Sequence, residues 1–488
     1  MEKQKKLQNK IECYSCKHVE WSTLIITPKL KFLHSNKNFL LVIFLSFASY
    51  IVTAGQPEIL RKVVATFILS SGCWILEVFP LPITGLMIPA VLTLLGVFLP
   101  KDAFAPFSHP IIFLMIGGLV LGQAIRKHEL DKRIALTLLI YSKGELEMLV
   151  LLVMFTAAFI SMWMSNTVAV SVILPIILSI LNALPNEFIN LKEKILLGLS
   201  VSTSIGGMAM ITGSTPAMIA VAFLEKNANF GFIQWAYYGL PISLLSLLIA
   251  FIILNRMYPL VKVNLNIDAV VVQKKNMGNL SGSQKKVIAI FFTTIFLWFM
   301  GGQVELVLGL PPSISSAAVV SILTVLAMFG FGLLDLRDLQ LIHWELIFLV
   351  GGGILLGEAI NFSGVAERIS SIIASLHGFV PTILILTVLS LISLVLTNFI
   401  SNSATAAILI PISIDVAHII GITPIPFVMA VALSATIAFI TPIGVPSTSL
   451  IYSTGQVSKG NLIKTGIFVA IPTLLVTLII VWILPIPR

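Results

Sequence analysis

The stretches "WMSNTVAVSVILPI" (163–176) and "FISNSATAAILIPI" (399–412) decide the fold of this chain. Each begins with a short polar motif, yet each lies inside a long apolar segment. The motifs are Ser165, Asn166 and Thr167 in the first stretch and Ser401, Asn402 and Ser403 in the second. Polar groups that recur in the same apolar setting point to a function for those groups.

The composition places the chain in a membrane. Its 488 residues are 57% hydrophobic and 10% charged, with a mean hydropathy of +1.04, whereas soluble domains carry about 25% charged residues. We therefore predict a polytopic protein of the lipid bilayer. The net charge of +9 is concentrated in loops and at the N-terminus, where it sets membrane orientation, and no nucleic-acid partner is expected.

The N-terminal region carries a weak metal-site pattern. Residues 1–38 are predicted to form a basic cytoplasmic tail, followed by a first transmembrane helix at 39–60. Cys13, Cys16 and His18 resemble half of a zinc site, but the sequence offers no second CxxC pair to complete it. We interpret them as incidental cysteines in a disordered tail.

Two apolar segments, 146–182 and 380–418, have an unusual length. Each is too long for one membrane span of about 20 residues and too short for two, and its polar motif lies at its middle. Both facts predict a re-entrant hairpin with the motif at its tip, since irregular backbone at membrane depth usually lines a site. The predicted fold is an all-α polytopic membrane protein with about 11 transmembrane helices and two re-entrant hairpins, and most basic loops then fall inside.

The chain contains an internal repeat. "IFLMIGGLVLGQAI" (112–125) matches "IFLVGGGILLGEAI" (347–360) at nine of fourteen positions, 235 residues apart, and the polar motifs are 236 residues apart. Repeat 1 is predicted at 61–257, a cytoplasmic linker at 258–286 and repeat 2 at 287–488. An odd number of spans separates the two copies, so they should have opposite orientations. Inverted repeats with interrupted segments indicate a secondary transporter.

The polar motifs have chemistry suited to ions. Ser161 and Ser165 are four residues apart, as are Thr397 and Ser401, so we expect each pair to lie on one helical face. Hydroxyl, amide and freed carbonyl oxygens suit Na⁺, while N–H groups at the start of the next helix suit an anion. A hydroxyl in a membrane helix often bonds back to its own helix instead; two matched motifs in a repeat favour the functional interpretation.

Two further breaks, "SIGGMAMITGSTPAM" (204–218) and "AFITPIGVPSTS" (438–449), follow the motifs. Their glycines and prolines should unwind helices in mid-membrane; these are Gly206, Gly207, Gly213, Pro216, Pro442, Gly444 and Pro446. Nearby hydroxyls can complete an ion or substrate shell; these are Thr212, Ser214, Thr215, Thr441 and Ser447.

Other chemistries find little support. Glu77 and Glu358 are the candidate intramembrane acids, with Glu345 near a helix start, and for Glu77 a structural or interfacial role is favoured. A cation/proton antiporter would place a buried acid near the motifs. HExxH, Walker A and GxSxG signatures are absent from the sequence. We expect no enzyme and no cofactor, with Na⁺ as the coupling ion.

Taken in order, the motifs resemble those of the divalent anion–sodium symporter family. The resemblance covers about 40–487 and includes "WILEVFPLPITGLMIPAVLTLLGVF" (74–98) and both SNT-like motifs. It implies homodimers in which a transport domain moves against a scaffold in an elevator-like step. It also implies one sodium site at Ser161, Ser165, Asn166, Gly206 and Gly207, and another at Thr397, Ser401, Asn402 and Thr441. The implied substrate residues are the six motif residues with Thr215, Pro216 and Pro446.

The chain departs from the family pattern at the two breaks. The usual Thr-Pro-Pro-Asn-like stretches read "STPAM" and "VPSTS" here, without either Asn. We predict Na⁺-coupled transport of a small divalent anion, first of all a C4 dicarboxylate, in a bacterial inner membrane. The alternatives are a sulfate or inorganic-anion carrier, a sodium-independent dicarboxylate exchanger, a cation/proton antiporter or metalloid-anion permease, and a transporter-like sensor.

Overall fold

The structure is a computed structural model that describes residues 28–181, 188–228, 230–258, 267–309, 311, 316–365, 368, 381–442 and 444–484. Throughout these ranges the regular structure is helical, without a strand, so the predicted all-α class is confirmed. Cys13, Cys16 and His18 lie outside the described residues.

The first half of the chain contains α1 (Pro28–Val52), α2 (Glu58–Ile75), α3 (Leu81–Leu94), α4 (Pro100–Phe104), α5 (Pro110–Lys127), α6 (Leu130–Ile140), α7 (Leu146–Ser161), α8 (Asn166–Leu181), α9 (Ile189–Gly207), α10 (Thr215–Ala228) and α11 (Phe232–Met257). The second half contains α12 (Asp268–Asn276), α13 (Gly282–Leu308), α14 (Ala317–Gly330), α15 (Leu336–Leu339), α16 (Glu345–Ser363), α17 (Thr382–Thr397), α18 (Asn402–Ile420), α19 (Ile425–Thr436), α20 (Pro446–Tyr452) and α21 (Lys459–Ile483).

Helices extend into two segments that the sequence divided off as tail and linker. Helix α1 begins at Pro28, inside the predicted tail 1–38, and the predicted linker 258–286 contains α12 and the start of α13. The start of α13 has a physical cause: Ser281 and Gln284 form a reciprocal capping box that satisfies the first free N–H groups. The apolar residues therefore indicated the apolar part of this helix, but not its polar, capped first turn.

Several helices are long and apolar enough to cross a bilayer. Six such helical stretches occur in the described ranges: Pro100–Lys127, which runs from α4 through α5, Phe232–Met257, Gly282–Leu308, Glu345–Ser363, Asn402–Ile420 and Lys459–Ile483. Shorter apolar helices accompany them, including α7, α8 and α17. The count of about 11 spans and the division into tail, linker and repeats stay predictions.

The two halves have matching elements. Helices α3 and α14 are both 14 residues long and α7 and α17 are both 16, each pair 236 residues apart. The packing matches too, because α3 lies against α16 while α14 lies against α5. A Cβ at Gly352 would be 2.3 Å from the Gly85 oxygen, and one at Gly117 would be 2.4 Å from Ser321 Cβ, at equivalent positions. Small residues let these backbones touch.

The hairpin segments agree with the sequence pattern. Segment 146–182 contains α7 and α8 with a four-residue break, and 380–418 contains α17 and most of α18 with a break of the same length. Helix α8 packs against α20 and α18 against α10. The second arm of each hairpin thus contacts the helix that follows the break in the other repeat.

Candidate functional site

The polar motifs lie where helices stop and restart. Helix α7 ends at Ser161 and α8 begins at Asn166, while Ser401 caps α18 by accepting a hydrogen bond from the Ala404 N–H at 3.1 Å. The prediction that Ser161 and Ser165 share a helical face is wrong, and so is its counterpart for Thr397 and Ser401. In both cases the helix ends at the first residue, so the second belongs to the next helix start.

The first break gathers oxygen atoms around a glycine. The fully buried Ser161 donates its hydroxyl to Asn166 Oδ1 at 2.7 Å. A Cβ at Gly207 would lie 2.7 Å from that same Oδ1 and 3.0 Å from the Gly213 carbonyl oxygen. Only glycine fits here, and the close approach brings side-chain and carbonyl oxygens together. We call Ser161, Asn166, Gly207 and Gly213 the first oxygen cluster.

The second break repeats this arrangement with one substitution. The buried Thr397 hydroxyl lies 2.9 Å from Asn402 Oδ1 and also contacts the Ala435 carbonyl oxygen. We call these three residues the second oxygen cluster. A hydroxyl has one proton and can donate to one of the two acceptors. Three oxygens sharing one proton are an arrangement that a hard cation would stabilise.

Hydrogen bonds fasten each downstream break to a hairpin tip. Thr212 donates to the Met162 carbonyl at 2.9 Å, and Thr441 donates to the Asn398 carbonyl at 2.6 Å. Asn398 also binds the second break through its side chain: Nδ2 donates to the Ile437 carbonyl at 2.9 Å. The sequence interpretation missed Asn398. Its signal in the sequence was an amide side chain inside an apolar segment, three residues before Ser401, where repeat 1 has Met162.

The other predicted residues have varied surroundings. Gly206 is a packing residue, because a Cβ there would be 2.3 Å from the Ala158 carbonyl oxygen. Thr215 and Pro216 begin α10, and Pro446 begins α20 with an exposed ring. Among the described residues, no hydrogen bond joins these three to the motifs, although α10 packs against α18 and α20 against α8. The six motif residues are half-buried, so a ligand can reach them; these are Ser165, Asn166, Thr167, Ser401, Asn402 and Ser403.

The acidic residue that the structure buries is not one of those singled out in the sequence. Glu77 is exposed in the α2–α3 turn at φ 48°, Glu358 is half-buried, and Glu345 lies 3.0 Å from His343 Nδ1. Asp415 in α18 was missed: it is 3% exposed, and its Oδ2 has no hydrogen-bond partner within the described part of the chain. A buried unpaired carboxyl is costly and therefore a candidate for a function.

Two cavities lie along the first hairpin, one at its tip and one beside its second arm. A small one of about 50 Å³ is lined by Ser165, Gln123 and Arg126, and a larger one of about 430 Å³ is lined by Arg126, Lys132, Ser171 and Pro175. We call the larger one the vestibule. Arg126 lines both cavities. Asp131 also lines the vestibule, and burial raises the pKa of its carboxyl to about 6.

Matched hairpins, broken helices and buried oxygen clusters describe a transporter. The sodium:sulfate symporter transmembrane-region model matches residues 32–486. The chain belongs to that family. This family member is a membrane transporter and not an enzyme, and the family resemblance seen in its motifs is confirmed.

Relatives extend along most of the chain. An uncharacterised transporter of Methanocaldococcus jannaschii is 35% identical over 87% of this chain and 94% of its own. An uncharacterised transporter of Haemophilus influenzae is 30% identical over 89% and 94%. The sodium-dependent dicarboxylate transporter SdcS of Staphylococcus aureus is 26% identical over 85% and 84%.

Solved structures share the fold at lower identity. Neisseria gonorrhoeae MtrF, described among antimetabolite efflux pumps, aligns with a TM-score of 0.57 at 15% identity, over 78% of this chain and 84% of its own. The Alcanivorax borkumensis YdaH transporter aligns with a TM-score of 0.56 at 14% identity, over 87% and 98%. At such identities the likeness concerns the fold alone.

Proposed function

We propose that this family member is a secondary active transporter. It couples inward Na⁺ movement to the uptake of a small divalent anion, first of all a C4 dicarboxylate. The observation that carries the proposal is the pair of oxygen clusters at the two hairpin tips. In each, a buried hydroxyl contacts the amide oxygen five residues later and backbone carbonyl oxygens lie close by.

The clusters have the right chemistry for a monovalent cation. Their ligands are neutral hydroxyl, amide and carbonyl oxygens, with no carboxylate, so a bound Na⁺ would keep its full positive charge. The motif residues beside each cluster are half-buried and adjoin the starts of α8 and α18, whose free N–H groups present partial positive charge. A divalent anion between the tips would therefore face two cations and two helix starts.

Arg126 adds a positive charge on the way to the first tip. Its neighbour Lys127 is paired with Asp338 at 2.6 Å, whereas Arg126 forms no ion pair with any described residue. Its guanidinium lines both the vestibule and the cavity at Ser165. We propose that it attracts the anion toward the site from the basic, cytoplasmic side.

The two hairpins contact equivalent helices at different heights, which supports an elevator-like step. Gly122 of α5 lies near the tip, 3.6 Å from the Trp163 oxygen, measured from an added Cβ. The equivalent Gly357 of α16 lies instead beside Phe223 and Pro411: an added Cβ would be 2.4 Å from the Phe223 ring and 3.3 Å from Pro411, ten residues beyond Ser401. Ten helical residues span about 15 Å. The repeat-1 equivalent of Pro411 is Pro175, which lines the vestibule.

We propose that these contacts belong to one end of a sliding motion. If the repeats exchanged their registers, Pro175 would move against Gly122 and close the vestibule, while the second tip would reach Gly357. The site would then open to the opposite side after a movement of about 15 Å. The orientation from basic loops makes the present vestibule cytoplasmic.

Uptake into proteoliposomes tests the proposal. Labelled succinate is offered with and without an inward Na⁺ gradient, with sulfate as competitor and empty liposomes as control. Sodium-dependent succinate uptake that sulfate barely inhibits is the expected result. Absence of both succinate and sulfate uptake, from protein shown to be folded, would overturn the assignment to divalent anions.

A second candidate is transport of sulfate, or sodium-independent dicarboxylate exchange. The observation that favours it is the lack of Asn in "STPAM" and "VPSTS", so the substrate shell differs from the family pattern. Strong sulfate uptake would establish the first form, and succinate uptake that needs internal dicarboxylate the second. The homodimer and the bacterial inner membrane stay predictions.

A further inference from the structure

A large apolar groove lies beside the first hairpin, and its lining includes no residue of either oxygen cluster. Its volume is about 610 Å³, within the range of about 300–1,000 Å³ that is typical of ligand sites. Helices α6, α7 and α13 form its walls, and Trp163 at the hairpin tip forms part of its lining. The proposed transport cycle leaves this groove without a role.

The walls of the groove are mainly aliphatic and aromatic. Phe159 and Ile160 come from α7, and Ile288 and Phe291 come from α13, where Phe291 packs edge-on against Trp163 with ring centroids 5.0 Å apart. Two aromatic side chains that line the groove are open to their surroundings: Phe155 is 43% exposed and Phe292 is 64% exposed. Both belong to apolar helices of the membrane region, so the groove opens toward lipid.

Two cations lie at the polar end of the groove. Arg133 of α6 donates to the Gly278 and Met277 carbonyl oxygens, each at 2.9 Å, and Lys274 of α12 donates to Thr137 and to the Arg133 carbonyl. Neither forms an ion pair with any acid that the structure describes. The two positive charges repel each other: burial and the charge of Arg133 lower the pKa of Lys274.

Other charged groups around this end do not neutralise the pair. Asp131 lines the same groove, but it forms no ion pair with either cation, and its Oδ2 has no hydrogen-bond partner among the described residues. An ammonium group has three donors, and Lys274 uses two of them on protein oxygens. One donor of Lys274 therefore remains for an anionic ligand.

We propose that this groove binds an anionic phospholipid, with its phosphate at Lys274 and Arg133 and an acyl chain along the apolar walls toward Trp163. The occupant must be amphipathic, because a charged end and a long apolar lining belong to one cavity. It must also arrive from the bilayer, because the rim carries exposed aromatic side chains. An anionic phospholipid meets both requirements, and membrane lipid is always present at the rim.

Such a lipid would lie between the first hairpin and α13. Phe159 and Trp163 belong to the hairpin, whereas Ile288 and Phe291 belong to α13 on the other side of the groove. A bound chain would fill the space between them. Lipid binding itself does not depend on the identity of the transported anion, so its test needs no transport assay.

Quenching of Trp163 fluorescence by brominated lipids tests the proposal. The full-length protein is reconstituted with brominated phosphatidylglycerol or brominated phosphatidylcholine at low mole fraction, and the Trp163 signal is obtained as the difference from Trp163→Phe. We expect phosphatidylglycerol to quench at about fivefold lower mole fraction, the preference that one lysine near the surface gives. Equal quenching by both lipids would overturn the proposal.

Two matched variants locate the head group and the chain. Lys274→Gln should remove the preference for phosphatidylglycerol, while Lys275→Gln, an exposed lysine one residue further on, should keep it. Ile134→Phe, which fills the groove, should reduce quenching by both lipids. A preference that persists in Lys274→Gln, or quenching unchanged in Ile134→Phe, would place the lipid elsewhere and contradict the proposal.

Discussion

The two hairpins are built on one plan but differ in what surrounds them. Both place a hydroxyl against the amide five residues later, through Ser161 with Asn166 and Thr397 with Asn402. The second hairpin is more closely held, since α18 packs along α16, whereas the equivalent face of α8 borders the vestibule. The two hairpins share the hydroxyl–amide pair and differ in their contacts with the neighbouring helices.

The largest expected effect comes from removing the amides. Asn166→Ala and Asn402→Ala should each raise the half-saturating Na⁺ concentration for uptake by about 10- to 100-fold, because an oxygen ligand to a charge contributes about 1.5–3 kcal/mol. Uptake measured against Na⁺ concentration checks this. Ser171→Ala in the vestibule is the control and should leave the Na⁺ dependence unchanged. If only one amide matters, the two clusters are not equivalent.

A second experiment tests the role of Gly207 in the first oxygen cluster. Gly207→Ala should weaken Na⁺ activation by about tenfold or more, because a Cβ 2.7 Å from Asn166 Oδ1 must displace it and overpacking costs about 1–3 kcal/mol. The matched control is Gly302→Ala, where a Cβ would meet nothing within 4 Å. Normal Na⁺ activation in Gly207→Ala would remove Gly207 from the account.

The hydrogen bonds of the Asn398 side chain, called the clamp below, predict that this residue stabilises the fold. Asn398→Met makes the second hairpin resemble the first, which has Met162, and removes hydrogen bonds to Leu394, Ile437 and Ile440. We expect a loss of about 2–4 kcal/mol, because each such bond contributes about 1 kcal/mol and buried groups lose their partner. Thermal unfolding in detergent measures it. An unchanged melting temperature would mean that the clamp is not needed.

The stability of the protein should depend on pH through Asp131, which lines the vestibule. Burial raises the pKa of this carboxyl to about 6 from an ordinary value near 3.8, so the folded state binds the proton more tightly than the unfolded state. Its contribution to stability is present below about pH 4 and is lost as the pH rises through about 6, up to about 3 kcal/mol.

Asp131→Asn should therefore raise the melting temperature at pH 7 and change it little at pH 4. Glu129→Gln is the control, because Glu129 is exposed on the same turn. A melting temperature at pH 7 that falls in Asp131→Asn would show that the carboxylate has a stabilising partner.

The smallest expected effect concerns Arg126. Arg126→Gln should raise the KM for the anion by about threefold at low salt on the vestibule side, and the difference should shrink at high salt, because steering by one exposed charge is screened. Lys101→Gln, an exposed charge elsewhere on the chain, should have no such effect. Equal salt dependence in wild type and Arg126→Gln would remove Arg126 from the anion's path.

The sequence predicted the hairpins because apolar length and a central polar motif are visible in it. The family resemblance of the motifs grouped Ser161 with Asn166 and Thr397 with Asn402, whereas the helical face expected for Ser161 with Ser165 does not exist. The Ala435 carbonyl could not be predicted, since every residue has a carbonyl and only tertiary packing selects one. The pinning of the second break by Asn398 likewise depends on residues about 40 positions away.

Burial of charge was also hidden from the sequence. Lys194 belongs to the charged run Lys192, Glu193 and Lys194 near the start of α9, yet it is 1% exposed and donates to the Tyr258 carbonyl at 3.0 Å. Asp415 lay in a predicted hairpin arm, and its burial follows from packing between α18 and its neighbours. Periodicity identifies an apolar helix, but it does not tell which polar residue on that helix faces protein and which faces lipid or water.

Disulfide cross-linking of the two registers tests the central claim most directly. In a variant without native cysteines, Gly353→Cys with Ala407→Cys joins positions whose Cβ atoms would be 3.5 Å apart in this structure, within disulfide range. Gly122→Cys with Pro175→Cys joins positions that meet only after the registers exchange. We predict that both pairs cross-link in membranes and that each cross-link stops transport. Active protein in which Gly122→Cys with Pro175→Cys never cross-links would contradict the exchange of registers.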